Sequence, residues 1–255
     1  MMAVMIRLLL VSPRRGAQAA AAEYNDVLRA TGMPAMCVEQ RVLDSPTATA
    51  GSTAGFDGLI IGGSPLNLTD DIEAAWRAQA IREILRLLDD SLPTYAICFG
   101  ATVLASSLGS GIGTDRPEGA GATTVRLTDN AAGDPIFGRL PSTFRALTGH
   151  NEHITLAPAA ARLLATGPTC PVQAFKVGTQ TWASQFHPEM DAKGMANRMG
   201  FYQTNGYFDP SNWQGIVSEI SRENLSASTS LLRSFAEHCA GERIETPALA
   251  RAHAA

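Results

Sequence analysis

Short apolar runs that alternate with segments of helical periodicity constrain this chain more than any other feature. Ala3 to Val11 is almost continuously hydrophobic and stops at Ser12-Pro13, Phe56 to Ile61 and Pro93 to Ile97 offer further short runs, and Met36 to Val42 offers another strand. Short runs without a polar face suit strands that are covered on both sides, as in a parallel sheet. Between them, Ala17 to Ala30 reads as a helix closed by Thr31-Gly32 and Pro34. Asp70 to Leu88 sets Ile72, Trp76, Ala80, Ile84, Leu87 and Leu88 at helical spacing, with charges opposite and Asp70 and Asp71 near its start, where negative charge is favoured. Phe99 to Leu108 is a further helix, closed by Gly109. The alternation predicts a three-layer α/β fold, a mostly parallel sheet with helices on both faces.

After Gly113 the texture changes. Thr123 to Leu127, Phe144 to Leu147, Leu163 to Thr166, Val172 to Val177 and Gln180 to Gln185 are short candidate strands separated by turns. They predict an antiparallel extension of the same sheet. The chain reads as helical again from Ala192, with an amphipathic helix over Ser226 to Ala240. Nothing divides it: residues 1–240 read as one domain and 241–255 as a flexible C-terminal tail.

With 45% hydrophobic and 17% charged residues there is ample material for a core, and disorder is set aside. A formal net charge of -4 gives no reason to expect a nucleic acid or an anionic membrane as partner. In the apolar N-terminal run, Arg7 interrupts and no positive charge precedes, so a buried first strand explains it better than a secretion signal. No other apolar run approaches the ~20 residues of a membrane span. Cysteines at 37, 98, 170 and 239 match neither a disulfide framework nor a zinc site, which predicts reduced thiols in a cytoplasmic protein. Cys37, Cys170 and Cys239 read as small buried hydrophobes.

Cys98 is different. Pro93-Thr-Tyr-Ala-Ile-Cys98-Phe99-Gly100 sets a cysteine where a strand turns sharply into a helix, with Gly100 leaving room for the turn. The helix N-terminus behind the sulfur favours the thiolate. Gln185-Phe186-His187-Pro188-Glu189 supplies a base and a carboxylate to orient it, two residues apart and on one side of an extended stretch. Gly62-Gly63 ends a strand at the sheet edge where such folds bind ligands, and a backbone N–H there can join that of Phe99 to hold an oxyanion. His150 and His153 lack a third ligand at metal-site spacing. Met195, Met199 and Trp76 read as packing residues, and no motif surrounds His238 or His253.

Gly62-Gly63, Ile97-Cys98-Phe99-Gly100 and Gln185-Phe186-His187-Pro188-Glu189 resemble, in order and spacing, the class I glutamine amidotransferases. Stand-alone members, like the glutaminase modules of guanosine monophosphate synthetases, are most similar, because Gly149-His150-Asn151-Glu152 and Cys170 to Phe175 also resemble theirs. The resemblance implies a flavodoxin-like fold and a triad of Cys98, His187 and Glu189, with the amides of Gly63 and Phe99 as the oxyanion hole. Cys98 would attack a γ-carboxamide and form a thioester, without metal or organic cofactor. Gly62, Thr102, His150 and Glu152 are the implied substrate contacts. The implied partners are glutamine or a γ-glutamyl small molecule and a separate synthetase or acceptor, and oligomerisation stays open.

Two departures bear on the substrate. Thr102 stands where the family carries the glutamine of C-x-G-x-Q, and a hydroxyl lacks an amide's paired donor and acceptor. His150-Asn151-Glu152 stands where the family has a His-Gly-Asp-like segment. Three readings stay open: a glutaminase-type amidotransferase, a γ-glutamyl conjugate or peptide hydrolase, and a binding or regulatory subunit of low activity.

Overall fold

The sheet is built from the apolar runs, in an order that sequence alone does not reveal. A computed structural model of the chain describes residues 6–203 and 206–252, with 242–252 as backbone only. The elements are β1 (Leu8–Ser12), α1 (Ala17–Thr31), β2 (Val38–Val42), β3 (Gly58–Ile61), α2 (Ala74–Leu88), β4 (Thr94–Ile97) and α3 (Phe99–Ser107). There follow β5 (Ile112–Gly113), β6 (Glu118–Leu127), β7 (Thr143–His150), β8 (His153–Ile154), β9 (Ala161–Thr166), β10 (Ala174–Val177) and β11 (Thr181–Ser184). The chain closes with α4 (Ala192–Phe201), α5 (Trp213–Ile220), α6 (Ser226–Thr229) and α7 (Leu231–Ala252).

Nine strands form one sheet in the order β2-β1-β3-β4-β11-β10-β9-β6-β7. From β2 to β11 every pairing is parallel, and from β11 outward every pairing is antiparallel. Strands β1, β3 and β4 are buried along their whole length because helices cover both faces. Two apolar clusters result, one on each side of the sheet. Leu8, Leu10, Ile60, Tyr95 and Ile97 meet α1 and α7 through Val27 and Phe235. Leu9, Val11, Leu59, Ile61 and Ala96 meet α2 and α3 through Ala80, Ile84 and Val103.

Some boundaries depart from the sequence reading. α2 begins at Ala74, not Asp70, because Asp70 accepts bonds from the Ile72 amide and from Asn67 and so holds a local turn that competes with the helix. The helix expected over Ser226 to Ala240 is split at Ser230 into α6 and α7. β11, expected in the antiparallel extension, joins the parallel part through β4 and meets the extension only on its other edge. The backbone of α7 runs on as helix to Ala252, through the stretch from residue 241 that the sequence reads as a tail. The beginning of the first apolar run, residues 1–5, lies outside the described residues. No helix among the described residues is long and apolar enough to cross a membrane.

Candidate active site

The parallel pairing of β4 with β11 builds the site. Ile97 lies opposite Ser184, so Cys98 and the segment from Gln185 leave the sheet at the same edge. β3 ends beside them and delivers Gly62-Gly63. Cys98 sits at φ 49°, ψ -103°, directly before α3. A non-glycine residue in this region carries about 1–3 kcal/mol of strain, which the surrounding fold must offset. Gly100 permits the turn: a Cβ there would lie 2.8 Å from Ile61 Cγ2 and 3.1 Å from the Ile61 carbonyl oxygen.

His187 and Cys98 converge on Gly63. A Cβ at Gly63 would lie 3.0 Å from His187 Cε1 and 3.5 Å from Cys98 Cβ. The His187 segment is held by its amide, which donates to the Leu147 carbonyl at 2.9 Å. His187 Nδ1 lies 2.8 Å from Glu189 Oε1, and both side chains are buried. Gly62 is occupied differently: a Cβ there would lie 2.5 Å from Glu23 Oε1, so this glycine admits a buried carboxylate and does not border the cavities at Cys98.

Charged residues that no motif announces complete the arrangement. Arg198, on α4, donates from Nη1 to Glu189 Oε1 at 2.9 Å, and its Nη2 lies 3.7 Å from Asp26 on α1. Arg29 donates to the Glu189 carbonyl at 3.0 Å and pairs with Asp26 at 2.8 Å. Arg14, at the end of β1, pairs with Glu23 at 2.9 Å and donates to the Tyr202 hydroxyl at 2.9 Å. Apart from Arg29 and Asp26, three positions apart on α1, these partners lie 9 to 188 positions apart, so no local pattern shows them.

Burial decides the protonation states. It lowers the His187 pKa below the ordinary histidine value, although Glu189 pulls the other way. Burial also opposes ionisation of Glu189, but His187 and Arg198 outweigh it and hold the carboxyl at about 2. The Cys98 thiol is pushed up to about 12, first by burial and then by the Glu189 charge. Burial thus opposes the thiolate that the Phe99 amide at the helix N-terminus favours. The charged forms of both Cys98 and His187 are disfavoured by burial.

Two cavities border the sulfur. The smaller holds about 250 Å³ of atom-free space and is lined by Cys98, Phe99, Thr102, His150, Glu152 and Gln185 among others. Thr102 donates its hydroxyl to the Cys98 carbonyl at 3.1 Å. Glu152 is engaged by the loop after β3, accepting from the amides of Leu68 at 2.8 Å and Thr69 at 2.6 Å. His150 Nε2 meets Glu118 Oε2 at 3.0 Å, while its Nδ1 is buried without a partner. The structure thus gathers Cys98, Phe99, Thr102, His150 and Glu152 around one cavity, with Gly63 and His187 beside the sulfur. Glu118, His150 and Cys170 place potential ligand atoms within 4.8 Å of one another. Glu118 also accepts from Gln173 and Thr123. Hydrogen bonds from His150, Gln173 and Thr123 thus converge on the Glu118 carboxylate.

The family glutamine amidotransferase class-I matches residues 26–203. Over 138 residues the chain is 29% identical to one subunit of the glutamine-hydrolysing GMP synthase of Thermoplasma volcanium, a match covering 54% of this chain and 64% of that protein. Over 100 residues it is 32% identical to the glutamine-hydrolysing GMP synthase of a Parafrankia species, covering 39% of this chain and 18% of that protein. The match therefore spans less than two thirds of either relative. The crystal structure of a glutamine amidotransferase from Thermotoga maritima superposes with a TM-score of 0.74 at 18% identity, covering 92% of this chain and 98% of that one. The two share a fold, and by its family match the chain belongs to the class I glutamine amidotransferases.

Proposed function

We propose that the protein hydrolyses the γ-carboxamide of glutamine or of a γ-glutamyl amide through a thioester on Cys98. The observation that carries this reading is a strained cysteine at a strand–helix elbow, converging at Gly63 with a buried histidine whose Nδ1 lies 2.8 Å from a carboxylate. Cys98 Sγ attacks the carbonyl carbon as its proton passes to His187. The amides of Gly63 and Phe99 hold the oxyanion that forms. The C–N bond then breaks, and His187 returns the proton to the departing nitrogen. Water attacks the thioester, His187 takes its proton, and Cys98 leaves with that proton restored. Glutamate and ammonia, or glutamate and an amine, are the products. Glu189 holds His187 in orientation and favours its cationic form during the transfer. A separate synthetase or small acceptor is the proposed destination of the nitrogen, in keeping with relatives named as GMP synthase subunits.

A glutamine-like chloroketone tests the reading directly. Intact-protein mass spectrometry is expected to show one adduct on the wild type and none on Cys98→Ala. No wild-type adduct, or an adduct retained by the variant, counts against a glutamine-sized site at this sulfur.

The pH profile follows from the sign of the His187 shift. Only neutral His187 accepts the Cys98 proton, and its lowered pKa keeps it neutral below the ordinary value of 6.5. The acid limb of kcat/KM is expected below pH 6.5, measured at constant ionic strength. A limb at or above that pH would mean that Glu189 outweighs burial.

A further inference from the structure

The two cavities meet at the nucleophile but differ in chemistry. Ser64, Cys98, Gly149 and Tyr207 border both. In the smaller cavity, Gln185 is 1% exposed, and both its amide nitrogen and its amide oxygen lack a partner. Together with the unpartnered His150 Nδ1, these atoms need polar company there. The zwitterionic head of a glutamyl group supplies it, and the Gln185 amide offers the paired donor and acceptor that Thr102 lacks.

The larger cavity holds about 450 Å³ of atom-free space, counted to its open mouth, and its wall is formed mainly by Pro65, Met190, Met195, Met199, Tyr202 and Phe208. His187 borders this cavity and not the smaller one. The imidazole that protonates the departing nitrogen therefore faces the apolar side, so the nitrogen leaves in that direction. Ammonia is small and strongly hydrated and gains nothing from a wall of thioethers and rings. An apolar amine gains by burying its body there, and methionine side chains adapt to its shape. The charged side chains on the wall are the guanidiniums of Arg14 and Arg198, which disfavour a second positive charge.

We propose that the larger cavity is a leaving-amine subsite and that the substrate class is a γ-glutamyl amide of an uncharged aromatic or branched apolar amine. This rests on the hydrolase reading given above. The Cys98 S–C bond forms at the γ-carbonyl, the C–N bond breaks, and the thiol proton, carried by His187, leaves on the amine. Water then releases glutamate and restores the thiol. No other co-reactant is needed.

The test compares kcat/KM of the full chain for glutamine, γ-glutamyl 2-phenylethylamide and γ-glutamyl 4-aminobutylamide. A hydrophobic pocket discriminates by about 10- to 200-fold per methylene-sized difference. The phenylethylamide is expected to exceed glutamine by ~10-fold or more, with the cationic 4-aminobutylamide well below the phenylethylamide. Ala120, which borders the larger cavity and not the smaller, gives a second measurement. Ala120→Phe is expected to reduce the phenylethylamide-to-glutamine ratio by about tenfold. Glutamine turned over as well as the phenylethylamide, or a ratio unmoved by Ala120→Phe, overturns the subsite and leaves the hydrolase reading standing. Turnover of none of the three amides, together with no chloroketone adduct on Cys98, overturns the hydrolase reading and the subsite with it.

Discussion

Cys98→Ala is expected to reduce amide hydrolysis by ~10⁴-fold or more, to background in an ordinary assay, while the protein stays folded. The magnitude follows from the role, because removal of the nucleophile of a covalent mechanism leaves only binding and oxyanion stabilisation. Retention of the fold follows from the position. The sulfur borders both cavities, so its loss enlarges existing space. Paired measurements check both halves: turnover of a γ-glutamyl amide, and thermal unfolding followed by far-UV circular dichroism. Substantial residual turnover would end the thioester mechanism. A large fall in Tm would mean that Cys98 holds the elbow together as well as reacting.

The largest effect on stability is expected from Glu23→Ala, which strands Arg14. That pair is 2.9 Å apart with side-chain exposures of 2% and 1%. Burial opposes the charge on Arg14, but Glu23 and Tyr202 outweigh it and raise its pKa above the ordinary arginine value. A guanidinium is not deprotonated in a protein near neutral pH, so the charge remains when Glu23 is removed. An uncompensated buried charge costs about 3–5 kcal/mol. At roughly 2–4 °C per kcal/mol for a chain of this size, Tm is expected to fall by about 6–20 °C. The double replacement Arg14→Met with Glu23→Leu removes both charges and is expected to recover most of the loss, as apolar substitutes for buried ion pairs often do. A Tm change below about 2 °C in Glu23→Ala would show that water reaches Arg14 and solvates its charge.

Much of this molecule is legible in local composition. The runs ending at Val11, Ile61 and Ile97 become β1, β3 and β4 because their apolar residues fall on both faces and leave no solvent side. Trp76 is legible as packing: it is buried, and its indole donates to the Leu43 carbonyl at 2.7 Å. The elbow at Cys98 is visible because Gly100 is the only kind of residue that fits against Ile61 at that separation. Met195 and Met199 are buried, as their spacing suggests, but their place on the larger cavity wall is not visible in the sequence.

By itself, the sequence determined the α/β class, the family and the residues carrying the candidate chemistry, because each depends on patterns within a few neighbouring positions. The tertiary structure alone decided that β11 lies parallel to β4, which brings His187 to Cys98 across 89 positions of chain. It also decided that Arg198 and Asp26 stand behind Glu189, that burial opposes ionisation of the Cys98 thiol, and that two unlike cavities meet at the sulfur. Strand order and buried charge pairing are settled by which distant surfaces exclude water from one another. Desolvation of that kind belongs to no single segment.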